Sequence, residues 1–201
     1  MQLSKTRFSP DVQIPVHQIE VIAAAIRARG PDCNLLVFGV GHDTGMWIDI
    51  NHDGYTLFAE TSSEWADKVS ESVPEANVKL YDLPLQTVAS SLETPLDLVA
   101  NLSIPDFIAA LPWDVIVIDG PPGFSNEMPG RAQEICWAGA VRGRDTHVFV
   151  HDYEREVEKL YSDLALRRPH REHAVISAHK GKRQLFWSIG LSTREDNEDV
   201  E

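Results

Sequence analysis

Two carboxylates follow two apolar runs of the chain. Asp119 comes directly after the run 114–118, and the pair His151-Asp152 comes directly after the run 146–150. If the two runs are neighbouring parallel strands, their ends lie about 4.8 Å apart. Carboxylates at that spacing can hold a hard divalent cation such as Mg²⁺, which would bind a substrate hydroxyl and lower its pKa. A histidine among the ligands would favour Mn²⁺ or Co²⁺ instead.

The same residues admit two other interpretations. In one, Asp119 only orders a bound cofactor and Asp152 caps the helix that follows. In the other, a neutral imidazole takes the hydroxyl proton near neutral pH, and His151 and His42 are the candidates. We prefer His151 as the base because it lies beside the predicted metal pair, and all these alternatives stay open at this stage.

A second group of residues is suited to a nucleotide-like ligand. Gly39 and Gly41 follow the apolar run that begins at Leu35, and Glu60 closes the next apolar run, 21 residues after Gly39. Glycine lets a ligand approach the end of the first strand, and a carboxylate at the end of the second can accept hydrogen bonds from ribose hydroxyls. The third glycine of the dinucleotide fingerprint is missing, which disfavours a nicotinamide cofactor and favours S-adenosylmethionine.

Arg131 ends a Pro-Gly-Arg triplet that follows the Asp119 loop. Its planar guanidinium group predicts a contact with a substrate carboxylate. A structural ion pair with Glu127 or Glu134 is the alternative, and both interpretations are kept.

The order of the apolar runs predicts the scaffold that positions these residues. Five predicted strands alternate with helices, which indicates a mainly parallel sheet, and two more at 174–178 and 184–189 form a terminal antiparallel hairpin. We expect an α/β fold, a single Rossmann-like class I methyltransferase domain with seven strands, over residues 15–191. Residues 1–14 are expected to form an N-terminal arm and 192–201 a disordered acidic tail. In such sheets ligands bind beyond the carboxyl ends of the strands, where all the residues named above would lie.

The composition of the chain restricts the classes of partner that it can bind. The 201 residues carry a net charge of −13, and five of the acids lie in the last seven residues. An acidic chain disfavours nucleic acid and anionic membranes as partners. No apolar run is long enough for a membrane span and the first residues lack a signal-peptide pattern, so we expect a cytoplasmic protein. Cys33 and Cys136 have no metal or redox spacing and are expected to be reduced thiols. A homo-oligomer is left open.

Four segments of the sequence resemble a known family. They read LVFGVGHDTGMW, WDVIVIDGPPGF, PGR at 129–131 and THVFVHDYEREVE, and with the acid at Glu60 they span about residues 35–158. In this order they resemble the glucuronoxylan 4-O-methyltransferase family, which includes relatives acting on arabinogalactan and proteins of xylan biosynthesis.

The resemblance implies a class I fold, S-adenosylmethionine as methyl donor, transfer to a sugar hydroxyl, and dependence on a divalent metal. It implies that five residues line the donor site: Gly39, Gly41, His42, Asp43 and Glu60. It also implies that three residues face the acceptor: Asp119, His151 and Asp152.

Some features depart from the family pattern. Family members in plant cell-wall synthesis carry a membrane anchor and work in the Golgi, whereas this sequence begins with no such pattern. Thr61 stands where family sequences often have a second acid. We therefore expect an S-adenosylmethionine-dependent O-methyltransferase that acts, with Mg²⁺, Mn²⁺ or Co²⁺, on a small soluble or sugar-acid acceptor. An N- or carboxyl-methyltransferase without metal and a non-catalytic S-adenosylmethionine-binding scaffold are the alternatives.

Overall fold

Seven strands form one mixed sheet in the order β3-β2-β1-β4-β5-β7-β6. Their bounds are β1 Asn34–Phe38, β2 Tyr55–Glu60, β3 Val78–Leu80, β4 Val115–Ile118, β5 His147–His151, β6 Glu172–His179 and β7 Lys182–Ile189. All pairings are parallel except β5 with β7 and β7 with β6, which are antiparallel. The computed structural model describes residues 9–83, 86–95, 97, 101, 103–167, 172–179 and 182–189.

The central strands are apolar on both faces because helices cover both sides of the sheet. In β4 the sequence Val-Ile-Val-Ile is fully buried. Alternate residues of β1 enter different apolar clusters, Leu36 with one face and Leu35 with the other. The register pairs Phe38 with Ile118 and Ile118 with Val150. The strands β1, β4 and β5 therefore reach the same edge of the sheet, and the residues that follow them meet there.

Helices pack on each face of this sheet. Their bounds are α1 Val16–Arg29, α2 Thr44–Ile50, α3 Ser63–Ser72, α4 Val88–Glu93, α5 Asp106–Ala109, α6 Ala132–Val141 and α7 Glu156–Tyr161, which continues as a π-helical turn at Ser162–Leu166. Trp47 of α2 lies in the core on one face, and Trp137 of α6 lies in the core on the other. Within the described part of the chain, no helix has both the length and the apolar character that crossing a membrane requires.

The predicted α/β fold with seven strands and a terminal antiparallel hairpin is confirmed. Helix α1 begins after Pro15 and ends at Gly30, and the Ser62 hydroxyl caps α3 by accepting from the Trp65 amide. The hairpin strands, predicted at 174–178 and 184–189, are longer and run over Glu172–His179 and Lys182–Ile189. Strand β1 ends at Phe38, because Gly39 turns the chain with a φ of +100°.

Two predicted segments lie wholly or partly outside the described residues. The acidic tail at 192–201 is outside them, and so are the first eight residues of the predicted arm at 1–14. The bounds of the arm and of the tail stay predictions.

Helix α6 carries a buried carboxyl group, that of Glu134. The Oε1 atom of Glu134 accepts a hydrogen bond from the Tyr81 hydroxyl at 2.8 Å, and its Oε2 atom has no hydrogen-bond partner among the described residues. Burial raises the pKa of Glu134 to about 8 from its ordinary value of 4.5. The folded state therefore holds a proton that the unfolded chain releases above about pH 4.5, so this group's contribution to stability falls as the pH rises from there to about 8.

We expect Glu134→Gln to remove this pH-dependent loss, because glutamine is neutral at every pH and still accepts from Tyr81. The variant should gain on the order of a few kcal/mol over the original chain at pH 8 and little at pH 5. Denaturant unfolding at the two pH values measures the difference. The exposed Glu20→Gln on α1 is the matched control, and an equal effect of Glu134→Gln at both pH values would contradict the argument.

Candidate active site

Strands β4 and β5 bring an aspartate and a histidine together at their carboxyl ends. The Asp119 Oδ1 atom lies 2.8 Å from the Nδ1 atom of His151. The imidazole is 3% exposed, and its Nε2 atom has no hydrogen-bond partner in the part of the chain that the structure describes. A carboxylate beside Nδ1 fixes a neutral imidazole with its proton on Nδ1, which leaves the Nε2 lone pair free. We call this pair the Asp119–His151 dyad, and its free nitrogen can accept a proton.

Asp152 lies next to the dyad in a strained backbone conformation. Its φ is +57°, in the left-handed region that a non-glycine residue adopts only where its surroundings require it. Its Oδ2 atom is 2.7 Å from Nη2 of Arg155 and 3.6 Å from Nδ1 of His151. Sequence reasoning missed Arg155, although its spacing of three residues from Asp152 was a signal that could have found it.

Arg131 is buried behind the dyad and uses its whole guanidinium group on the protein. Nε donates to the Pro121 carbonyl at 3.1 Å, Nη1 to the His151 carbonyl at 2.8 Å and Nη2 to the Asp119 carbonyl at 2.8 Å. Nη2 also lies 3.1 Å from the Asp119 carboxylate and 3.3 Å from that of Asp152. These contacts are those of a residue that holds the site together.

The predicted ion pair of Arg131 with Glu127 or Glu134 was wrong, because the carboxylates that pair with it belong to Asp119 and Asp152. Binding of a substrate carboxylate by Arg131 stays a prediction. It would require the guanidinium group to give up contacts that it makes in this structure.

The surrounding charges favour the ionised form of Asp119. Burial opposes its ionisation, but the Arg131 guanidinium and the His151 imidazole outweigh that effect and hold the pKa of the Asp119 carboxyl below its usual range. An ionised Asp119 keeps the proton on Nδ1 of His151 and stabilises the imidazolium that forms when Nε2 accepts a second proton.

The spacing of three side chains could suit a metal ion. One ligand atom from each of Asp119, His151 and Asp152 lies within 4.8 Å of the others. The charge balance does not suit one, because Arg131 lies against both carboxylates and Arg155 against Asp152. A divalent cation at this point would be repelled by two guanidinium groups at short range. In the observed arrangement these residues therefore do not fit a metal, and metal binding stays a prediction.

A second acidic side chain faces the dyad from the turn after β1. Asp43 is half-buried, and its Oδ2 atom accepts a hydrogen bond from the Trp47 indole at 2.9 Å. Burial and the nearby charge of Asp119 raise the pKa of Asp43 to about 6. The two carboxylates are therefore close enough for their negative charges to interact.

Glu60 closes β2 and holds the turn after β1. Its Oε2 atom accepts from the Val40 amide at 2.9 Å, and its Oε1 atom accepts from the amides of Thr61 and Ser62 at 2.7 Å each. A carboxylate oxygen can accept two hydrogen bonds, so Oε2 keeps room for one more. Ribose binding by Glu60 stays a prediction that this spare capacity allows.

The surrounding structure requires a glycine at one position of the turn after β1 but not at the other. A Cβ atom on Gly39 would lie 3.0 Å from the Gly120 amide nitrogen, and one on Gly120 would lie 2.7 Å from the Cα of Gly39. At Gly41 the nearest atom to such a Cβ is Oδ1 of Asp43, at an ordinary 3.5 Å. Gly39 therefore lets the loops after β1 and β4 touch, a requirement from within the protein that sequence reasoning had assigned to a ligand.

His42 lies apart from the dyad contacts. It is exposed and packs edge-on against Trp65, with ring centroids 5.9 Å apart. It lines a groove of about 750 Å³ between α2 and α3, together with Met46 and Val69. Among the described residues, a carboxylate orients His151 and none is in contact with His42. A donor-site role for His42 stays a prediction.

Comparison with known proteins identifies related sequences over most of the chain. A family model described as IRX15/IRX15L/GXM matches residues 17–102 and 93–177. The chain is 36% identical to Protein IRREGULAR XYLEM 15 of Arabidopsis thaliana, over 75% of this chain and 55% of that protein. It is 34% identical to Glucuronoxylan 4-O-methyltransferase 2 of Arabidopsis thaliana, over 72% and 57%. It is also 34% identical to Arabinogalactan O-methyltransferase 1 of that plant, over 71% and 57%. The chain thus spans little more than half the length of these relatives.

Solved structures support the fold. A Klebsiella pneumoniae protein named as an O-methyltransferase superposes with a TM-score of 0.59 at 16% identity, covering 90% of this chain and 83% of that one. A Staphylococcus aureus protein named as a caffeoyl-CoA O-methyltransferase gives a TM-score of 0.52 at 14% identity, covering 89% and 86%. At such identities the likeness shows the Rossmann-like methyltransferase fold alone.

The contact between Gly39 and Gly120 predicts different responses at the two glycines of the turn. Gly39→Ala should destabilise the chain by roughly 2 kcal/mol, because alanine tolerates neither the positive φ nor the nearby backbone. Gly41→Ala is the matched control and should leave the unfolding midpoint nearly unchanged. Thermal unfolding of both variants tests this, and equal midpoints would show that the close approach does not matter.

Proposed function

The chain belongs to the IRX15/IRX15L/GXM family, and we propose on that basis that it transfers a methyl group from S-adenosylmethionine to a hydroxyl of a saccharide acceptor. The observation that carries the proposal is the buried Asp119–His151 dyad with its free Nε2. An acceptor hydroxyl must lose its proton as it is methylated, and a neutral, oriented imidazole is suited to take it. The names of the relatives support a sugar hydroxyl as the acceptor.

Two further features support this donor. Bound S-adenosylmethionine would supply an activated methyl group on a positively charged sulfonium. The negative charges of Asp43 and Asp119, which are close enough to interact, favour such a cation, and Glu60 Oε2 can accept one more hydrogen bond from a ribose hydroxyl. No step of this proposal needs a phosphate-binding turn, in agreement with the missing third glycine.

The chain's own residues would then do three things. His151 Nε2 accepts the proton of the acceptor hydroxyl as the oxygen attacks the methyl group. Asp119 stabilises the resulting imidazolium through its hydrogen bond to Nδ1. Arg131 fixes the backbone at both positions, so that the two reactants and the base keep the geometry that accelerates the transfer.

Metal assistance is a second candidate for activating the hydroxyl. The spacing of the ligand atoms of Asp119, His151 and Asp152 favours it, and the contacts of Arg131 and Arg155 count against it. A small soluble acceptor and a cytoplasmic location, both expected from the sequence, also stay predictions.

If the dyad provides the base, His151→Gln should lower kcat by about two to four orders of magnitude, because the hydroxyl then has no proton acceptor. The dissociation constant for S-adenosylmethionine, measured by isothermal titration, should stay the same. His17→Gln, an exposed change on α1, is the matched control. Undiminished turnover in His151→Gln would contradict the role and favour an amine or carboxylate acceptor, which needs no such base.

The same assay separates the metal candidate and the scaffold alternative. Activity that survives a chelator supports the dyad, whereas activity that a chelator abolishes and Mn²⁺ or Co²⁺ restores supports a metal. Donor binding without turnover of any hydroxyl, amine or carboxylate acceptor would favour a non-catalytic scaffold.

The negative charge of Asp43 predicts a loss of affinity that depends on the charge of the ligand. Asp43→Asn should weaken S-adenosylmethionine binding about tenfold, because a nearby negative charge is lost. It should weaken S-adenosylhomocysteine binding less, since that product has no sulfonium charge. Isothermal titration with both ligands measures the difference, and unchanged affinity for both would remove Asp43 from the donor site. The exposed Asp67→Asn on α3 is the control.

A further inference from the structure

The loop after β4 exposes an aromatic ring at the edge of the sheet that carries the dyad. Phe124 is 72% exposed, the largest value for a large hydrophobic side chain in the described part of the chain; Leu80 follows at 54%. It stands five residues after Asp119. A single exposed apolar side chain is ordinary on a protein surface. The loop that carries this ring, however, is hydrogen-bonded on both sides of it.

Hydrogen bonds hold the loop on the N-terminal side of Phe124. The Pro121 carbonyl accepts from Nε of Arg131 at 3.1 Å, and the Pro122 carbonyl accepts from the Gly130 amide at 3.1 Å. A second pair of bonds holds the loop on the C-terminal side.

On that C-terminal side the loop is bonded to the start of α4. The Asn126 carbonyl accepts from the Ala89 amide at 3.2 Å, and the Met128 carbonyl accepts from the Val88 amide at 2.7 Å. Phe124 lies between the two anchored stretches. The backbone is fixed and the ring still points into solvent, so a ligand that packs on it would lose little conformational entropy of the protein.

The anchored loop is also tied to the dyad. Arg131, which holds the Pro121 carbonyl, donates to the carbonyls of His151 and Asp119 through its other nitrogens. Three steps of about 3.8 Å between consecutive Cα atoms put the Cα of Phe124 no more than about 11 Å from that of Pro121. The loop that carries the ring is therefore joined to both residues of the dyad through one side chain.

We propose that Phe124 is a stacking platform for a sugar ring of the acceptor that neighbours the ring being methylated. The inference rests on the proposed function and deepens it, because it makes an oligosaccharide the preferred acceptor over a monosaccharide. A pyranose ring presents a face of C–H groups that packs on the negative face of an aromatic ring. In the chain Phe124 is followed by Ser125 and Asn126, whose polar side chains suit the hydroxylated rim of a sugar.

The same surroundings argue against a protein partner. A protein interface needs a contiguous surface of hundreds of square ångströms with an apolar centre, whereas Phe124 is one exposed ring followed in the chain by two polar residues. A sugar unit needs only one ring to stack on.

The test compares acceptor length in three variants: Phe124→Ala, Phe124→Tyr, and Tyr55→Leu as control. Tyr55 is another exposed aromatic, at the amino end of β2, away from the site. The acceptors are a xylo-oligosaccharide that bears a glucuronic acid branch and methyl glucuronoside. For the oligosaccharide, Phe124→Ala should raise KM about tenfold, which is typical of one stacking contact, and leave kcat unchanged. For the monosaccharide KM should change less than about twofold, and Phe124→Tyr should restore the value of the original chain.

Binding of the oligosaccharide to protein saturated with S-adenosylhomocysteine is measured in parallel by isothermal titration. The binding measurement separates the two proposals. If the original chain shows no turnover, the proposed function is wrong, and the binding data still decide whether Phe124 is the platform. Equal oligosaccharide affinity in Phe124→Ala and the original chain would overturn the platform, and so would absence of oligosaccharide binding to the original chain. An equal loss for both acceptors would also overturn it, because the ring would then contact the methylated sugar itself.

Discussion

The candidate site depends on one buried guanidinium group. Arg131 donates to carbonyls of the β4 loop and the end of β5 and lies against the carboxylates of Asp119 and Asp152. Without it, three carbonyls would lose a donor, and each unsatisfied buried group costs about 1–3 kcal/mol. Asp119 would keep its contact with His151 and Asp152 its contact with Arg155, but each would lose one partner. Because the same side chain bridges both strand ends, the distance from Asp119 to His151 is set by the arginine as much as by the sheet.

Positive side chains compensate some of the acids at the site. Arg131 lies against the carboxylates of Asp119 and Asp152, and Arg155 lies against that of Asp152. Asp43 has no ion-pair partner among the described contacts, and burial and the charge of Asp119 raise its pKa to about 6. A metal at the carboxylates of Asp119 and Asp152 would have to displace the arginines, whereas the proposed sulfonium beside Asp43 would not.

The sequence predicted the elements well and the side-chain partners poorly, for physical reasons. Apolar runs bounded by glycine and proline locate strands because burial dictates them, and parallel strands end at one edge, so the meeting of Asp119 with His151 followed from order alone. The partners of Arg131 could not be found this way, since its bond to His151 spans 20 residues and depends on how the β4 loop folds back. The contact of Gly39 with Gly120 was hidden for the same reason. Each is a pairing in space that leaves no periodic signal in the chain.

The dyad is buried and the ring of Phe124 is exposed, so an acceptor that contacts both must reach from solvent into the protein. Nε2 of His151 is enclosed and lacks a hydrogen-bond partner in the described residues, which costs stability until a hydroxyl or water reaches it. Phe124 is held open to solvent by bonds on both sides of it. If Phe124 is the platform proposed above, a ligand that packs on the ring is held next to the enclosed nitrogen, and the contact lowers KM for the longer acceptor without changing kcat. In the proposed function, binding away from the reacting atoms therefore favours a longer acceptor over a single sugar at low concentration.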